Sequence, residues 1–536
     1  MKTRKGLKRI ARSFVDAREL WGIGIMDIPD QQQSVVSFLS NAAAFGLPPA
    51  EPVKIIETHV SVIFLAGSRA YKLKKRVKFP YLDFTEAAER QKTCEVEVRM
   101  NRRTAPDMYL GVRAVTDEGS GHFALDGAGA AVDWVVEMRR FPEGGLFTDL
   151  AAAGKLKRRL MEDLADNIAR FHAAAEIERT LWNPARVAAI IDNNDASLNA
   201  WVPGVFDGAT VARVKDDAHA VCRTLLDLIA ARQAAGRARQ CHGDLHLANI
   251  CLWEGQPMPF DVIEFNERLS HIDVLYDLAF LIMDLDYRGH RRLASFVLNR
   301  YLDRAPLDGI DVAGLAAMPL FLAMRAAVRA HVSASQGKTK HAKEYLGRAN
   351  GYLVPAPPRL VAVGGLSGSG KSRLARELAW HFGTSPGARV VRSDVMRKRL
   401  AGFDIMARLP SQFYTPDHSA RTYAACFDEI RTAIAAGRSA VFDAVQAKPC
   451  ERAGIEKLAR ELGVPFTGIW VTAPPEYRLD RVANRQANVS DVTEQVARKQ
   501  ENFDLGQVAW AMVDSSGKKK ETIAQGLKTL GLSEGW

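Results

Sequence analysis

The sequence predicts a multi-domain chain, α+β in its N-terminal part and α/β in its C-terminal part. Three observations carry that expectation. At 536 residues the chain is too long for a single hydrophobic core. The Val-Pro-Ala-Pro-Pro run at 354–358 cannot continue a helix, and across it the pattern changes from long helices to alternating strands and helices. Two glycine-bearing motifs of different kinds, at 242–249 and 365–372, fall on opposite sides of that run. The expected division is a basic arm at 1–30, a first domain at 31–350, a Pro-rich linker at 351–358 and a second domain at 359–536.

Taken in order, residues 1–25 hold seven basic side chains against two acidic ones, a net of +5 within the chain's +11, and lack the apolar stretch of a signal peptide. Of three readings, a solvated basic arm, a start placed too early with Met26 the true first residue, and a weak transit-like tail, the first two together are favoured. Residues 32–48 read as a helix ending at Gly46 and Pro48. Residues 53–79 alternate as strands do, with Val60, Val62 and Phe64 on one face, Gly67 at a turn, and the run 70–74 beyond it. A charged helix over 85–103 and a strand over 132–138 complete a small sheet-and-helix lobe reaching about residue 142. Helices then dominate 148–350, interrupted by a loop-and-strand stretch at 241–265.

No apolar run approaches the roughly 18–20 residues of a membrane span. The candidate at 278–283 is flanked by Asp277 and Asp284 and reads as a buried helix, so no membrane partner is expected. The six cysteines, Cys94, Cys222, Cys241, Cys251, Cys426 and Cys450, form no C-x-x-C pair. This fits reduced thiols in a cytoplasmic protein, with neither a disulfide framework nor a zinc site. The net positive charge suits an anionic ligand without establishing a nucleic-acid partner.

The first motif, His242-Gly243-Asp244-Leu245-His246-Leu247-Ala248-Asn249, has H-x-D-x-x-x-x-N spacing. A loop with that spacing brings two groups to one point. Asp244 would accept a hydrogen bond from a substrate hydroxyl and orient it toward the γ-phosphate, and Asn249 would offer a side-chain oxygen to magnesium. An acidic residue on the strand beyond the loop supplies a second metal ligand, and both Asp261 and Glu264 lie there. Upstream, Lys72 sits on a strand where it would hold nucleotide phosphates, with Glu95 or Glu97 on the next helix as its ion-pair partner. At these residues the chain resembles the aminoglycoside phosphotransferase family of the protein-kinase-like fold. The resemblance extends to the Val-Ile-Glu-Phe stretch at 262–265 and to Asp277-Leu278-Ala279. It spans roughly 30–345 and is closest to a branch fused to a P-loop kinase. It implies a bilobal fold, ATP, magnesium and phosphorylation of a small-molecule hydroxyl. It also aligns Glu264 with a position where many relatives have Asp.

The second motif, Gly365-Leu366-Ser367-Gly368-Ser369-Gly370-Lys371-Ser372, is a full G-x-x-x-x-G-K-S loop. It comes after an apolar strand at 360–364 and opens an amphipathic helix, the setting in which backbone N–H groups and a helix N-terminus cradle phosphates. Lys371 would reach the β- and γ-phosphates, and Ser372 would hold magnesium. The strand at 389–392 ends in Asp394 with Arg397 three residues on, a carboxylate for an acceptor hydroxyl and a cation for phosphates. The strand at 439–442 ends in Asp443-Ala444, without the Glu by which motor ATPases activate water. Arg478, Arg481 and Arg485 recur at helical spacing, as lid arginines would. These features resemble P-loop kinases of the polynucleotide kinase, gluconate kinase, antibiotic kinase and zeta-toxin type, over about 358–532.

Together the two motif sets predict a bifunctional ATP-dependent phosphotransferase with small-molecule hydroxyl substrates. Two other readings compete: a nucleic-acid 5′-end kinase in the C-terminal domain, and one domain that binds nucleotide only to regulate the other. The end-kinase reading is less favoured, since no basic platform interleaved with aromatics is present.

Overall fold

The computed structural model describes residues 30–58, 60–79, 82–484 and 494–532. Residues 1–29 of the basic arm expected at 1–30, Arg485 and the segment at 488–491 lie outside the described residues. The chain folds into two compact units. One runs to Tyr287 and resumes over Leu320–Leu353; the other joins Arg288–Pro319 to Val354–Trp536.

The first unit opens with a helix at Asp30–Leu39 and a short 3-10 turn at Ala42–Phe45, shorter than the continuous helix expected to residue 48. Next come strands β1 (Lys54–Glu57), β2 (Ser61–Ala66) and β3 (Arg69–Lys74), with Gly67 at positive φ in the β2–β3 turn. A small hairpin, β4 (Lys78–Phe79) and β5 (Leu82–Asp83), leads into the helix Ala87–Asn101. Then come β6 (Tyr109–Gly119), β7 (His122–Leu125) and β8 (Ala130–Arg139). The sheet order is β1-β2-β3-β8-β6-β7, antiparallel throughout. Strand alternation sorts the side chains of this sheet between its two faces. Val62, Phe64, Tyr71 and Leu73 pack with Val35 and Leu39 on one face, while Ala70 packs with Cys94 and Val98 of the helix on the other. Side chains two apart share a face, so Lys72 and Lys74 stand on the helix side with Ala70.

The rest of this unit is helical, built around the almost wholly buried helix Val274–Tyr287. Into it are set β9 (Ala238–Gln240), β10 (Ile250–Trp253), β11 (Gln256–Pro259) and β12 (His271–Asp273), paired β10 with β11 and β9 with β12. One expectation from sequence is corrected. The run Ile310–Ser335, whose residues up to Pro319 belong to the second unit, is long and apolar enough to cross a membrane, yet 78% of its most apolar window is buried, as in a core helix.

The second unit has a fully parallel sheet of β13 (Leu360–Gly364), β14 (Arg389–Arg392), β15 (Ala440–Asp443), β16 (Phe466–Thr472) and β17 (Ala511–Asp514), in the order β14-β15-β13-β16-β17. Helices cover both faces, and the two apolar clusters they form contain alternate residues of β13: Val361 and Val363 in one, Leu360 and Ala362 in the other. The near-continuous apolar runs read as strands because both of their faces are buried.

Candidate active sites

In the first unit the sheet and helix geometry brings two lysines to three carboxylates. Lys72 Nζ lies 2.8 Å from Glu97 Oε1 and 2.7 Å from Asp261 Oδ1. Lys74 Nζ is paired with Glu97 Oε2 and with Glu264. Helical phase selects Glu97 over Glu95. Cys94, Glu97, Val98 and Asn101 form the buried stripe of the helix, whereas Glu95 faces outward and accepts from Gln91. Burial would lower the Lys72 ammonium, but Asp261 and Glu97 hold it well above its ordinary value.

Asp244 and Asn249 come together at one point, as their spacing suggested. Asn249 Nδ2 donates to the Asp244 carboxylate at 2.6 Å and to the Asp244 carbonyl at 3.0 Å, which leaves its side-chain oxygen for a cation. His246 Nε2 lies 3.4 Å from Asp244 Oδ2. Burial pushes the Asp244 carboxyl up, but His246, His242 and Arg329 outweigh it and hold the group below its ordinary range. Asp244 is thus ionised and able to take a proton.

The two candidate metal carboxylates differ in placement. The Asp261 side chain is 34% exposed and that of Glu264 5%. Asp261 sits at φ +62, with its N–H donating to the Tyr109 hydroxyl, and interacts electrostatically with Asp244. Burial raises Asp261, but Lys72 and Lys74 overcome it and keep the carboxyl depressed. Glu264 is different: burial outweighs Lys74 and raises its carboxyl. Oxygen donors from Asp261 and Asn249 suit a hard divalent cation, whereas Glu264 is engaged beneath Lys74.

Asp277 explains its own place in the motif. Its carboxylate accepts from the backbone N–H groups of His242 (3.1 Å) and Gly243 (2.8 Å) and lies 3.0 Å from His172 Nε2. Cys241 completes a buried His172–Cys241–Asp277 cluster of metal-ligating types. Burial drives the Cys241 thiol well above its ordinary value, so it stays protonated, and the Asp277 oxygens already bind the loop. The cluster anchors the 242–249 loop. Sequence reasoning missed Asn101, whose Oδ1 accepts from Val262 N, and Asp284, which accepts from Leu247 N. Asn101 lies on the same stripe as Glu97, a signal present in the helix phase.

In the second unit the phosphate loop joins β13 to the helix Lys371–Ala379. Gly365, Gly368 and Gly370 all have positive φ. A Cβ on Gly368 would fall 2.4 Å from the Arg478 carbonyl oxygen, so that position admits glycine alone. Two observations fit the loop to a nucleotide. Ser367 N–H donates to Gln500 Oε1 at 2.8 Å, an acceptor oxygen where a phosphate oxygen would be received. The buried hydroxyls of Ser367 and Ser369 have no hydrogen-bond partner among the described residues. Ser372 Oγ is 3.1 Å from Asp443 Oδ1, whose other oxygen meets Arg392 Nε at 3.2 Å.

Asp394 and Arg397 lie on the helix Ser393–Leu400. Arg397 is held on the side of the 411–419 segment. Its Nη1 donates to the Phe413 carbonyl at 2.9 Å, and its guanidinium stacks over Tyr414. Arg481 reaches the phosphate loop, with Nη1 3.5 Å from the Gly368 carbonyl and Nη2 2.6 Å from that of Ser515. Arg478 is buried and meets Glu501 at 3.4 Å.

This geometry has counterparts in known families. Residues 134–311 match the model of the phosphotransferase enzyme family, and residues 360–504 match that of an AAA domain. The class so defined is an ATP-dependent phosphotransferase: a phosphotransferase domain of protein-kinase-like fold joined to a P-loop domain of kinase type. Along most of its length the chain is similar to the uncharacterized protein Rv2004c of Mycobacterium tuberculosis, 29% identical over 490 residues, covering 88% of this chain and 94% of that protein. Among solved structures, the aminoglycoside phosphotransferase APH(4)-Ia covers 60% of this chain and 97% of its own (15% identity, TM-score 0.37). A gluconokinase from Sinorhizobium meliloti 1021 covers 33% of this chain and 94% of its own (19% identity, TM-score 0.25).

Proposed function

We propose that the chain is a bifunctional kinase with two separate sites, each moving the γ-phosphoryl group of ATP to a hydroxyl of a small molecule. The observation that carries this reading is the clamping of Lys72 between Glu97 and Asp261 in the unit that also holds the paired Asp244 and Asn249. In the first site Lys72 binds nucleotide phosphates, and ionised Asp244 takes the proton of the acceptor hydroxyl. The acceptor oxygen forms a bond to the γ-phosphorus as the bond to the β–γ bridging oxygen breaks and ADP leaves. Asp261 and Asn249 would hold magnesium, which neutralises charge on the phosphate oxygens. In the second site Lys371, the loop amides and Arg481 hold phosphates, Ser372 and Asp443 stand where magnesium would bind, and Asp394 serves the acceptor hydroxyl. Five of the six cysteines are buried and none is paired, which supports the cytoplasm as its compartment.

The test is γ-phosphoryl transfer by the full-length protein to a panel of sugars, nucleosides and amino alcohols, with 5′-hydroxyl oligonucleotides as a separate arm. Asp244→Asn should remove one set of products and Lys371→Ala another, each by at least roughly a hundredfold. If both variants keep every activity of the parent, the two-site reading is wrong. Labelling confined to the oligonucleotides would transfer the second site to the end-kinase class.

A further inference from the structure

The sheet order of the second unit places β15 between two functional strands. On one side β13 runs into the phosphate loop, with Val363 in register with Asp443. On the other, β14 runs into Asp394, with Arg392 in register with Asp443. In an open parallel sheet, ligands bind at the carboxyl ends of the strands. The chain leaving β15 therefore lies between the phosphate donor and the carboxylate proposed for the acceptor. Val445 O accepts from Gly365 N at 3.1 Å, which fixes that segment beside the first glycine of the loop.

The next residue, Gln446, is unusual in three respects. It lies at φ +53, a conformation that side-chain-bearing residues seldom adopt. It is fully buried. Both polar atoms of its side-chain amide are buried and have no hydrogen-bond partner among the described residues. Its backbone, by contrast, is firmly held. Gln446 N donates to the Tyr423 hydroxyl at 3.2 Å, and Gln446 O accepts from Arg452 Nη1 at 3.0 Å. The strand end just before it, Phe442 and Ala444, belongs to an apolar cluster with Leu366. An apolar side chain would suit that wall better, since an unpartnered buried amide destabilises a fold. A strained, unsatisfied polar group pinned by its backbone between donor and acceptor strands is the signature of a group held for a ligand.

We propose that the Gln446 side-chain amide recognises the acceptor in the second site, and that this acceptor is polyhydroxylated, offering Gln446 a second hydroxyl beside the one Asp394 serves. The amide both donates and accepts, as a hydroxyl does, so the two groups satisfy each other. The backbone is pinned, so side-chain torsions are the moving part. The Tyr423 hydroxyl, already accepting from Gln446 N, keeps its proton to donate, and burial holds that phenol protonated. In the transfer, the first hydroxyl's oxygen bonds to the γ-phosphorus, its proton goes to Asp394, and ADP departs. The inference rests on the reading of this unit as a kinase.

The test uses the full-length chain carrying Asp244→Asn, so that only the second site turns over, with radiolabelled ATP and magnesium. The probes are glycerol, ribitol and D-gluconate as polyols, and choline and ethanolamine as single-hydroxyl alcohols. The expected result is transfer to at least one polyol. Adding Gln446→Leu should then raise the acceptor KM roughly tenfold or more, with MgADP affinity within about twofold of the parent and Tm equal or higher. Gln446→Asn, which keeps an amide and tolerates positive φ, should recover part of that loss. Gln446→Leu with the parent's acceptor KM overturns the inference. So does a lowered Tm with MgADP binding lost, which marks a structural residue, and so does transfer to single-hydroxyl alcohols alone. Transfer to none of the polyols overturns this inference; the kinase reading of the second site falls separately, if the wider acceptor panel and the 5′-hydroxyl oligonucleotides give no transfer that Lys371→Ala removes.

Discussion

At the scale of single residues, position relative to the two lysines separates the carboxylates of the first site. Lys72 and Lys74 both reach Glu97, but Lys72 also takes Asp261 and Lys74 takes Glu264. The carboxylate with solvent access and a depressed pKa is Asp261. Asp261→Asn should therefore lower first-site kcat by at least roughly a hundredfold, whereas Glu264→Gln should lower it by less than about tenfold. Steady-state transfer assays on the two variants decide this, and equal losses would argue against the assignment. The same groups set the acid response. Asp244, Asp261 and Glu97 are depressed in the fold, so the stability they contribute is present above their unfolded values of about 4. It is lost as pH falls through the lower folded values. Glu264 is raised, so its contribution has the opposite sense, present below its unfolded value and lost as pH rises through the folded one. Three groups against one predicts a Tm that falls on acidification below about pH 4, with a weaker fall in Asp261→Asn. Thermal melts across pH 3–7 would show it; a parent Tm that holds steady below pH 4 contradicts the pairing.

At the scale of elements, Asp277 at the start of a buried helix ties down the loop that carries Asp244. Removing its carboxylate strips acceptors from two backbone N–H groups and from His172. Each buried group left unpaired costs about 1–3 kcal/mol, so Asp277→Ala should destabilise the first unit by roughly 3–5 kcal/mol. Asp277→Asn, which keeps one acceptor oxygen, should lose less. Denaturant melts monitored in the full-length chain measure both, and a parent-like midpoint for Asp277→Ala would refute the anchoring role. Much at this scale was legible in the sequence. The catalytic loop, the phosphate loop and strands β2, β3, β8, β13, β14 and β15 can be read from local spacing and alternation. Strands β6 and β7 were not read. Over Tyr109–Gly119 five of the eleven residues are half-buried and three exposed, and charged residues interrupt the alternation, so the pattern is faint. The choice of Glu97 was written in the helix phase, whereas the choice of Asp261 was not. It depends on a positive-φ residue after β11 meeting a lysine far away in sequence, and the aligned motif pointed to Glu264 instead.

At the scale of the whole molecule, the proline-rich run at 354–358 suggested a single cut, yet the second unit also takes in a segment from before it. Arg288–Pro319 folds with the second unit. Nothing local announces this, because its determinants are long-range partners of a sheet edge. Strand β14 is an edge strand, and the helix Arg291–Arg304 covers it. Asn299 Oδ1 accepts from Val390 N at 2.7 Å, and its Nδ2 donates to the Ala388 carbonyl at 3.1 Å, completing the edge as a neighbouring strand would. Arg389, fully buried, meets Asp303 at 2.7 Å and donates to the Asn299 carbonyl at 3.0 Å. A fragment of residues 359–536 keeps Glu429 as a partner for Arg389 but loses Asp303 and Asn299 and bares the edge. Breaking a buried charge network of this kind costs roughly 3–5 kcal/mol, and an unpaired edge invites association between copies. The isolated fragment should therefore melt at least roughly 10 °C below the second unit in the full chain, with weakened MgADP binding and a tendency to aggregate. Joining residues 288–319 to 354–536 through a flexible linker should restore both melting and nucleotide affinity. Calorimetry of the two fragments decides the matter. If residues 359–536 alone match the full chain in Tm and MgADP affinity, the 288–319 segment is dispensable and the simple cut at 351–358 describes the protein after all.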